Sequence, residues 1–305
     1  MMSTLTIRPK VAPAVSARNV LASHPFRAFF ILTFVGSWLF FAPMIVGQDG
    51  LGLLPYHVPF WLYVTLFLGA SFSGPTLAAL VVTAARDGKA GVKQFLRRYG
   101  QWRVGWRWYL LFLVGFPALY LLPASVWLGA APWQALIQQW PTLFTVYLPA
   151  VLIFPALLNW GEEAGWRGFA QTHMQPLYGP LHTSLLVGLL HGLWHLPVFV
   201  LVTGPAALGP FDLNEFLLNT LMIMTLTILW TWIFNGAQQS ILIAALMHAA
   251  FNGTQAWIGT LLPPLPEEVN QAVTIAIVVA ALLTIALTKG RLGYRSEPTI
   301  DQTNR

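Results

Sequence analysis

Long uncharged apolar runs are the feature of this sequence that most restricts its fold. Residues 60–85 and 272–288 are two examples, and a run near 20 residues is what an α-helix needs to cross about 30 Å of hydrocarbon. Only 9% of the 305 residues are charged, whereas a soluble protein carries about 25%. A soluble fold needs polar helix faces, and this sequence does not provide them. The sequence therefore predicts an all-α polytopic membrane protein.

Eight membrane spans are predicted from these runs. They lie near residues 28–46, 60–84, 108–128, 142–171, 181–203, 215–234, 240–262 and 272–287. No internal repeat or low-complexity linker divides the chain. We therefore expect one membrane domain at 28–288, with a short cytoplasmic tail at 1–27, which lacks the features of a cleavable signal peptide, and a second cytoplasmic tail at 289–305.

The basic residues predict the orientation of the spans, because lysine and arginine are enriched in cytoplasmic segments. With the N-terminus inside, 15 of the 16 lysines and arginines lie inside or at the inner interface, and the remaining one, Arg167, lies within the fourth span. The 15 are Arg8, Lys10, Arg18, Arg27, Arg86, Lys89, Lys93, Arg97, Arg98, Arg103, Arg107, Lys289, Arg291, Arg295 and Arg305. The outer loops instead hold Asp49, Asp212, Glu215, Glu267 and Glu268.

This topology explains the net charge of +6, so nucleic acid is not predicted as a partner. Membrane lipid is the expected surroundings, and the basic segment between the second and third spans can contact anionic headgroups. The chain has no cysteine, which excludes a thiol nucleophile, disulfide bonds and thiolate metal sites.

Two carboxylates and an arginine form the first cluster of polar residues within the predicted spans. Ionisable groups at this depth are costly, by about 2.5–3.5 kcal/mol on insertion scales, and tend to be functional. Glu163 and Arg167 are four residues apart and share a helix face, so they are expected to pair. Glu162 lies about 100° around the helix and is expected to stay free as a general base. Gly161, Gly165 and Gly168 would let neighbouring helices approach closely.

Histidines on two later spans form the second and third clusters. His191 and His195 are four residues apart, as are His248 and Asn252. At 1.5 Å per residue, Glu162, His195 and Asn252 each lie about 18–21 Å from the inner end of their spans. Three spans thus bring polar groups to one level, which predicts a single site and not a set of unrelated core residues.

These clusters resemble the motifs of the CPBP family of membrane proteases, which includes the type II CAAX prenyl endopeptidases. The family pattern, Glu-Glu-x-x-x-Arg, Phe-x-x-x-His and His-x-x-x-Asn, is matched in order by residues 162–167, 191–195 and 248–252. Looser similarity covers residues 24–30 and 73–79. One position departs from the pattern, because His191 stands where the family has phenylalanine. We expect His191 to bond a neighbouring helix and not to act directly in catalysis.

The resemblance implies an intramembrane endopeptidase of the glutamate type. In it, Glu162 and His195 activate a water, His248 and Asn252 donate hydrogen bonds to the oxyanion, and Glu163 and Arg167 support the site. No cofactor is implied. A zinc-dependent version, with Glu162, His195 and His248 as ligands, is the alternative, although the His-Glu-x-x-His helix is absent.

A proton-coupled transporter and a non-catalytic immunity protein are the alternatives from other classes of function. The single level of the polar groups argues against a transport path, and the complete set of motifs favours retained chemistry. The expected substrate is a peptide or protein, either prenylated or a pheromone or bacteriocin precursor. The expected location is a bacterial cell membrane, with both termini cytoplasmic.

Overall fold

The computed structural model describes residues 17–204, 206–207, 209–262 and 264–295, and no β-strand occurs in them. Within these described residues, eight helical segments are long and apolar enough to cross a membrane, which confirms the predicted number of spans. The spans are, in order, Pro25–Val46, Phe60–Gly100, Trp106–Leu128, Leu143–Tyr178, Pro180–Val200, Leu213–Gly236, Ile241–Leu261 and Glu267–Thr288. The predicted tails lie partly outside the described residues, at 1–16 and 296–305, and the division into domain and tails stays a prediction.

Several spans are built from more than one helical segment. A short helix, Ala17–Ser23, precedes the first span, and another, Ala131–Gln138, precedes the fourth. The second span consists of the α-helix Phe60–Ser71, a π-helical turn at Phe72–Thr76, the α-helix Leu77–Arg97 and a 3₁₀ turn at Arg98–Gly100. The fourth consists of a π-helical turn at Leu143–Tyr147, the α-helices Leu148–Leu152 and Phe154–Gly165, a π-helix at Trp166–Gln171 and the α-helix Thr172–Tyr178. The fifth consists of the helices Pro180–Trp194 and Leu196–Val200.

The second span continues past its predicted end at residue 84, and this prediction was wrong by about four turns. Gly88 adopts φ 65° and ψ −158°, a conformation open to glycine because it has no Cβ. The chain kinks there and continues as a helix to Arg97. Much of the basic segment that was predicted as a loop is therefore helical.

Two apolar clusters form the core, and the polar site lies between them. One cluster packs the first, second, fourth and fifth spans around side chains that include Phe29, Phe41 and Trp166. The other packs the third, sixth, seventh and eighth spans around side chains that include Phe112 and Trp230. Lipid chains are as apolar as these side chains, so close van der Waals packing between the helices, and not removal from water, stabilises the bundle.

Hydrogen bonds join turns at each end of the bundle. At one end, the guanidinium of Arg98 donates to the carbonyl oxygens of Gln239 and Gly168 and to Thr172 Oγ1. At the same end, Asn235 donates to the carbonyl oxygen of Leu292. Arg98 was predicted only as one of the inner cations, but it ties the second span to the fourth span and to the turn between the sixth and seventh spans.

At the opposite end, the carboxylate of Asp49 holds the loop that follows the fifth span. It accepts hydrogen bonds from Val58 N, His57 Nδ1 and Thr203 Oγ1, at 2.6, 2.9 and 2.8 Å. Burial alone would raise the pKa of Asp49, but these hydrogen bonds outweigh burial and hold the pKa below its usual value. The chain just beyond His191 and His195 is thus anchored.

Glycines in the fourth span allow the close helix approach that was predicted for them. A Cβ added at Gly165 would lie 2.6 Å from the carbonyl oxygen of Pro75, and one added at Gly161 would lie 3.0 Å from that of Ser71. A Cβ at Gly168 would lie 2.8 Å from Ile241 Cδ1. The fourth span therefore packs backbone to backbone against the π-helical turn of the second span.

We predict that Gly165→Ala destabilises the protein by about 1–3 kcal/mol, because the methyl group overpacks a backbone contact that cannot move independently. Gly115→Ala is the matched control, since its Cβ would meet only Leu111 Cδ1, at 3.8 Å. Thermal unfolding of both variants in the same detergent measures the difference. Equal midpoints for the two variants would contradict the packing described here.

Candidate active site

The buried ion pair between Glu163 and Arg167 forms the base of the site. Arg167 Nη1 lies 3.0 Å from Glu163 Oε1, and both side chains are 0% exposed. The predicted pair is confirmed. Its helix differs from the expectation, since the α-helix ends at Gly165 and Arg167 belongs to the π-helix Trp166–Gln171. Single π-helical turns inside longer helices occur often at functional sites.

The carboxylate of Glu162 is also buried, and it is not free. Its Oε2 lies 3.0 Å from His191 Nε2 on the fifth span. The prediction that the Glu162 carboxylate is unpaired was wrong, because helix spacing indicates only partners on the same helix. The expectation that His191 bonds a neighbouring helix is confirmed.

His195 lies where the fifth span changes from one helix to the next. The first helix ends at Trp194 and the second begins at Leu196, so His195 is the one residue between the two helices of this span. The Nδ1 of His195 lies 2.9 Å from the carbonyl oxygen of His191. Because a carbonyl oxygen only accepts, Nδ1 carries the proton. In the neutral ring, Nε2 is then the nitrogen with a free lone pair, and the side chain is partly exposed.

Glu162, His191 and His195 form a compact cluster. One carboxylate oxygen and one nitrogen from each ring all lie within 4.8 Å of one another. The predicted convergence of the fourth and fifth spans is therefore present, and it includes His191.

The seventh span joins the site through His248. Its Nδ1 lies 2.9 Å from Glu163 Oε1, so Glu163 accepts from both Arg167 and His248. Asn252 lies one turn further along the same helix and is partly exposed. Within the described part of the chain, its side chain forms no hydrogen bond to protein.

The cluster differs from the zinc ligands proposed from the sequence. His248 is not in the compact set, and His191 takes its place among the described residues. His191 suits a metal poorly, because its Nδ1 lies 3.4 Å from the Arg167 guanidinium. A neutral histidine that binds metal through Nε2 carries its proton on Nδ1, and that proton would meet the N–H groups of Arg167. These residues fit a hydrogen-bonded carboxylate better than a metal centre.

Sequence reasoning missed the groups that enclose the site. Trp166 stacks on His191 at 4.8 Å, and Trp230 lies 4.6 Å from the ring of His248 and 4.8 Å from the Arg167 guanidinium. Thr227 accepts a hydrogen bond from Arg167 at 3.0 Å. The sequence position of Trp230 could have indicated a role in the site. Tryptophan in membrane proteins favours the interface, whereas Trp230 lies inside the sixth span.

Comparison with known proteins indicates the same family as the three sequence motifs. The family model described as Type II CAAX prenyl endopeptidase Rce1-like matches residues 139–254, a range that contains all three polar clusters. A protein of Methanococcus maripaludis named CAAX prenyl protease 2 is 26% identical over 236 residues, which cover 74% of this chain and 79% of that protein. The eight apolar spans of the described residues and these matches support an integral membrane protease of the CPBP type.

Proposed function

We propose that this protein hydrolyses a peptide bond in a membrane-associated or lipid-modified substrate, with a water activated by Glu162 and His195. The observation that carries the proposal is the approach of these two side chains to within 4.8 Å inside the bundle. A water that forms hydrogen bonds of about 2.8 Å can bridge two acceptors at that separation.

The hydrogen bonds around the two groups support this role. Oε2 of Glu162 accepts from His191, which leaves Oε1 for a water. His195 offers the lone pair of Nε2. The water oxygen attacks the scissile carbonyl carbon while Glu162 takes a proton from the water. When the tetrahedral intermediate collapses and the C–N bond breaks, that proton passes to the leaving amine.

His248 and Asn252 are proposed to stabilise the oxyanion of that intermediate, a contribution that is usually the largest in acyl transfer. Asn252 offers the N–H groups of its amide. His248 donates through Nδ1 to Glu163, so donation through Nε2 as well requires a doubly protonated ring.

The reaction is proposed to need no metal. The support is the hydrogen-bond direction at His191, whose Nδ1 faces a guanidinium that only donates. A zinc-dependent version would have to use Glu162, His195 and His248, and among the described residues His248 lies outside the compact cluster of Glu162, His191 and His195.

The substrate is proposed to be a prenylated protein or a peptide precursor of the pheromone or bacteriocin kind, presented from the cytoplasmic side. The curated relative is named CAAX prenyl protease 2, which supports the first class. We propose a bacterial cell membrane with both termini cytoplasmic. The separation of charges supports this orientation, because Asp49 and Asp212 lie in loops at the end opposite to Arg98 and Arg291.

Glu162→Gln is predicted to abolish peptide cleavage, because the amide keeps the size of the side chain and cannot accept the proton of the water. His195→Ala is predicted to lower kcat by about 100-fold or more, in the range of a lost general base. Glu268→Gln, at an exposed carboxylate in the first turn of the eighth span, is the matched control. The assay uses purified protein with prenylated and unmodified peptides.

Wild-type activity in a Glu162→Gln variant that is folded would refute the proposed function. Measurement of Glu162-dependent solute flux in proteoliposomes would instead indicate a transporter.

A strong chelator is predicted to leave cleavage unchanged, since the proposed mechanism uses hydrogen-bonded side chains and not a metal ligand set. Activity is measured before and after prolonged incubation with the chelator, followed by dialysis. Loss of cleavage that added zinc restores would overturn the metal-free mechanism and leave the peptidase activity itself intact.

Arg167→Met is predicted to destabilise the protein by about 3–5 kcal/mol, because it leaves the Glu163 carboxylate buried without its cation. The double variant Glu163→Gln/Arg167→Met is predicted to recover most of that stability, since it removes both charges, but not the cleavage rate. Chemical or thermal unfolding of both variants tests this. An Arg167→Met variant as stable as wild type would show that the pair does not hold the site together.

A further inference from the structure

Both ring nitrogens and the backbone carbonyl oxygen of His191 contact other residues of the site. Its side chain is fully buried, with Nε2 3.0 Å from Glu162 Oε2 and Nδ1 3.4 Å from Arg167 Nη1. Its backbone carbonyl accepts from His195 Nδ1 at 2.9 Å. One residue therefore contacts both groups proposed to activate the water, and also the arginine that supports the site.

The neighbours of His191 determine the direction of its hydrogen bonds. A guanidinium only donates, so Nδ1 of the ring accepts. The proton of the neutral ring is then on Nε2, which donates to Glu162. In the opposite tautomer, the N–H at Nδ1 would face an N–H of Arg167, and the lone pair at Nε2 would face a lone pair of Glu162. Arg167 thus selects the tautomer that can orient Glu162.

His191 also connects the two halves of the site. Glu162 accepts from His191, His191 accepts from Arg167, Arg167 donates to Glu163, and Glu163 accepts from His248. The chain runs through the fourth, fifth and seventh spans without a break. Without the ring of His191, Glu162 would have no link to this chain among the described hydrogen bonds.

We propose that His191 is a positioning residue, which holds Glu162 Oε2 so that the other carboxylate oxygen faces the water and which couples that orientation to the Arg167–Glu163–His248 chain. This inference rests on the proposed function, because it assigns how the base of that reaction is held. It also explains why the site tolerates a polar ring at a position where the CPBP pattern has phenylalanine.

A packing role for the same ring predicts a different dependence on side-chain chemistry. The ring stacks on Trp166, with centroids 4.8 Å apart and planes at 25°. Phenylalanine can keep this stack and loses both hydrogen bonds. Glutamine loses the stack, but its amide can donate to Glu162 and accept from Arg167. The two substitutions therefore separate shape from hydrogen bonding.

His191→Phe is expected to lower kcat by about 10- to 100-fold, because a reacting group that is misplaced by about 1 Å costs up to about 100-fold in rate, with KM changed less than about threefold. His191→Gln is expected to retain most of the wild-type kcat, although its melting midpoint falls below that of His191→Phe. His182→Phe is the matched control, since it makes the same change on an exposed face of the same helix. Rates are measured in lipid nanodiscs well below each variant's melting midpoint.

A wild-type kcat in His191→Phe would overturn the inference, as would equal losses of kcat in the phenylalanine and glutamine variants. If His191→Phe does not fold, kcat of His191→Gln decides alone, and a loss of tenfold or more overturns the inference. Glu162→Gln is assayed beside them. An active Glu162→Gln enzyme would refute the proposed function, whereas an inactive one beside a fully active His191→Phe enzyme would refute only the role of His191.

Discussion

A salt bridge enclosed by apolar helices is the interaction on which the rest of the site depends. Glu163 and Arg167 are both fully buried, and a single charge left there would cost several kcal/mol. Each is therefore bound from a second span, Arg167 by Thr227 and Glu163 by His248. These contacts fix how the fourth, sixth and seventh spans are rotated about their axes. Glu162, the residue before Glu163, is thereby placed so that its carboxylate faces His191 on the fifth span.

The features that were predictable from the sequence depend on the geometry of single helices. The number of spans follows from the thickness of hydrocarbon that a helix must cross, and the pairing of Glu163 with Arg167 follows from their spacing. The approach of His195 to Glu162 was predictable because both residues lie at a similar depth, counted from the inner ends of their spans. None of these predictions required knowledge of how one helix is rotated against another.

The features that the sequence did not reveal depend on that rotation or on local breaks. Glu162 was expected to be free because no partner lies on its own helix. Its actual partner, His191, lies on another span, and only the packed bundle brings the two side chains together. The helix ends at Trp194 although the apolar run continues, so hydropathy could not detect the break beside His195. The π-helix that contains Arg167 likewise leaves no mark in the spacing of apolar residues.

The position of His191 shows why a neutral ring suits the centre of this site. Its Nε2 faces the carboxylate of Glu162 and its Nδ1 faces the guanidinium of Arg167, so the ring has to donate on one side and accept on the other. A neutral imidazole donates on one side and accepts on the other, and so it can link Glu162 to Arg167 without a net charge. Phenylalanine would fill the same space and leave the base and the ion pair as separate units. The histidine joins them, because the guanidinium that stabilises Glu163 also sets the tautomer that orients Glu162.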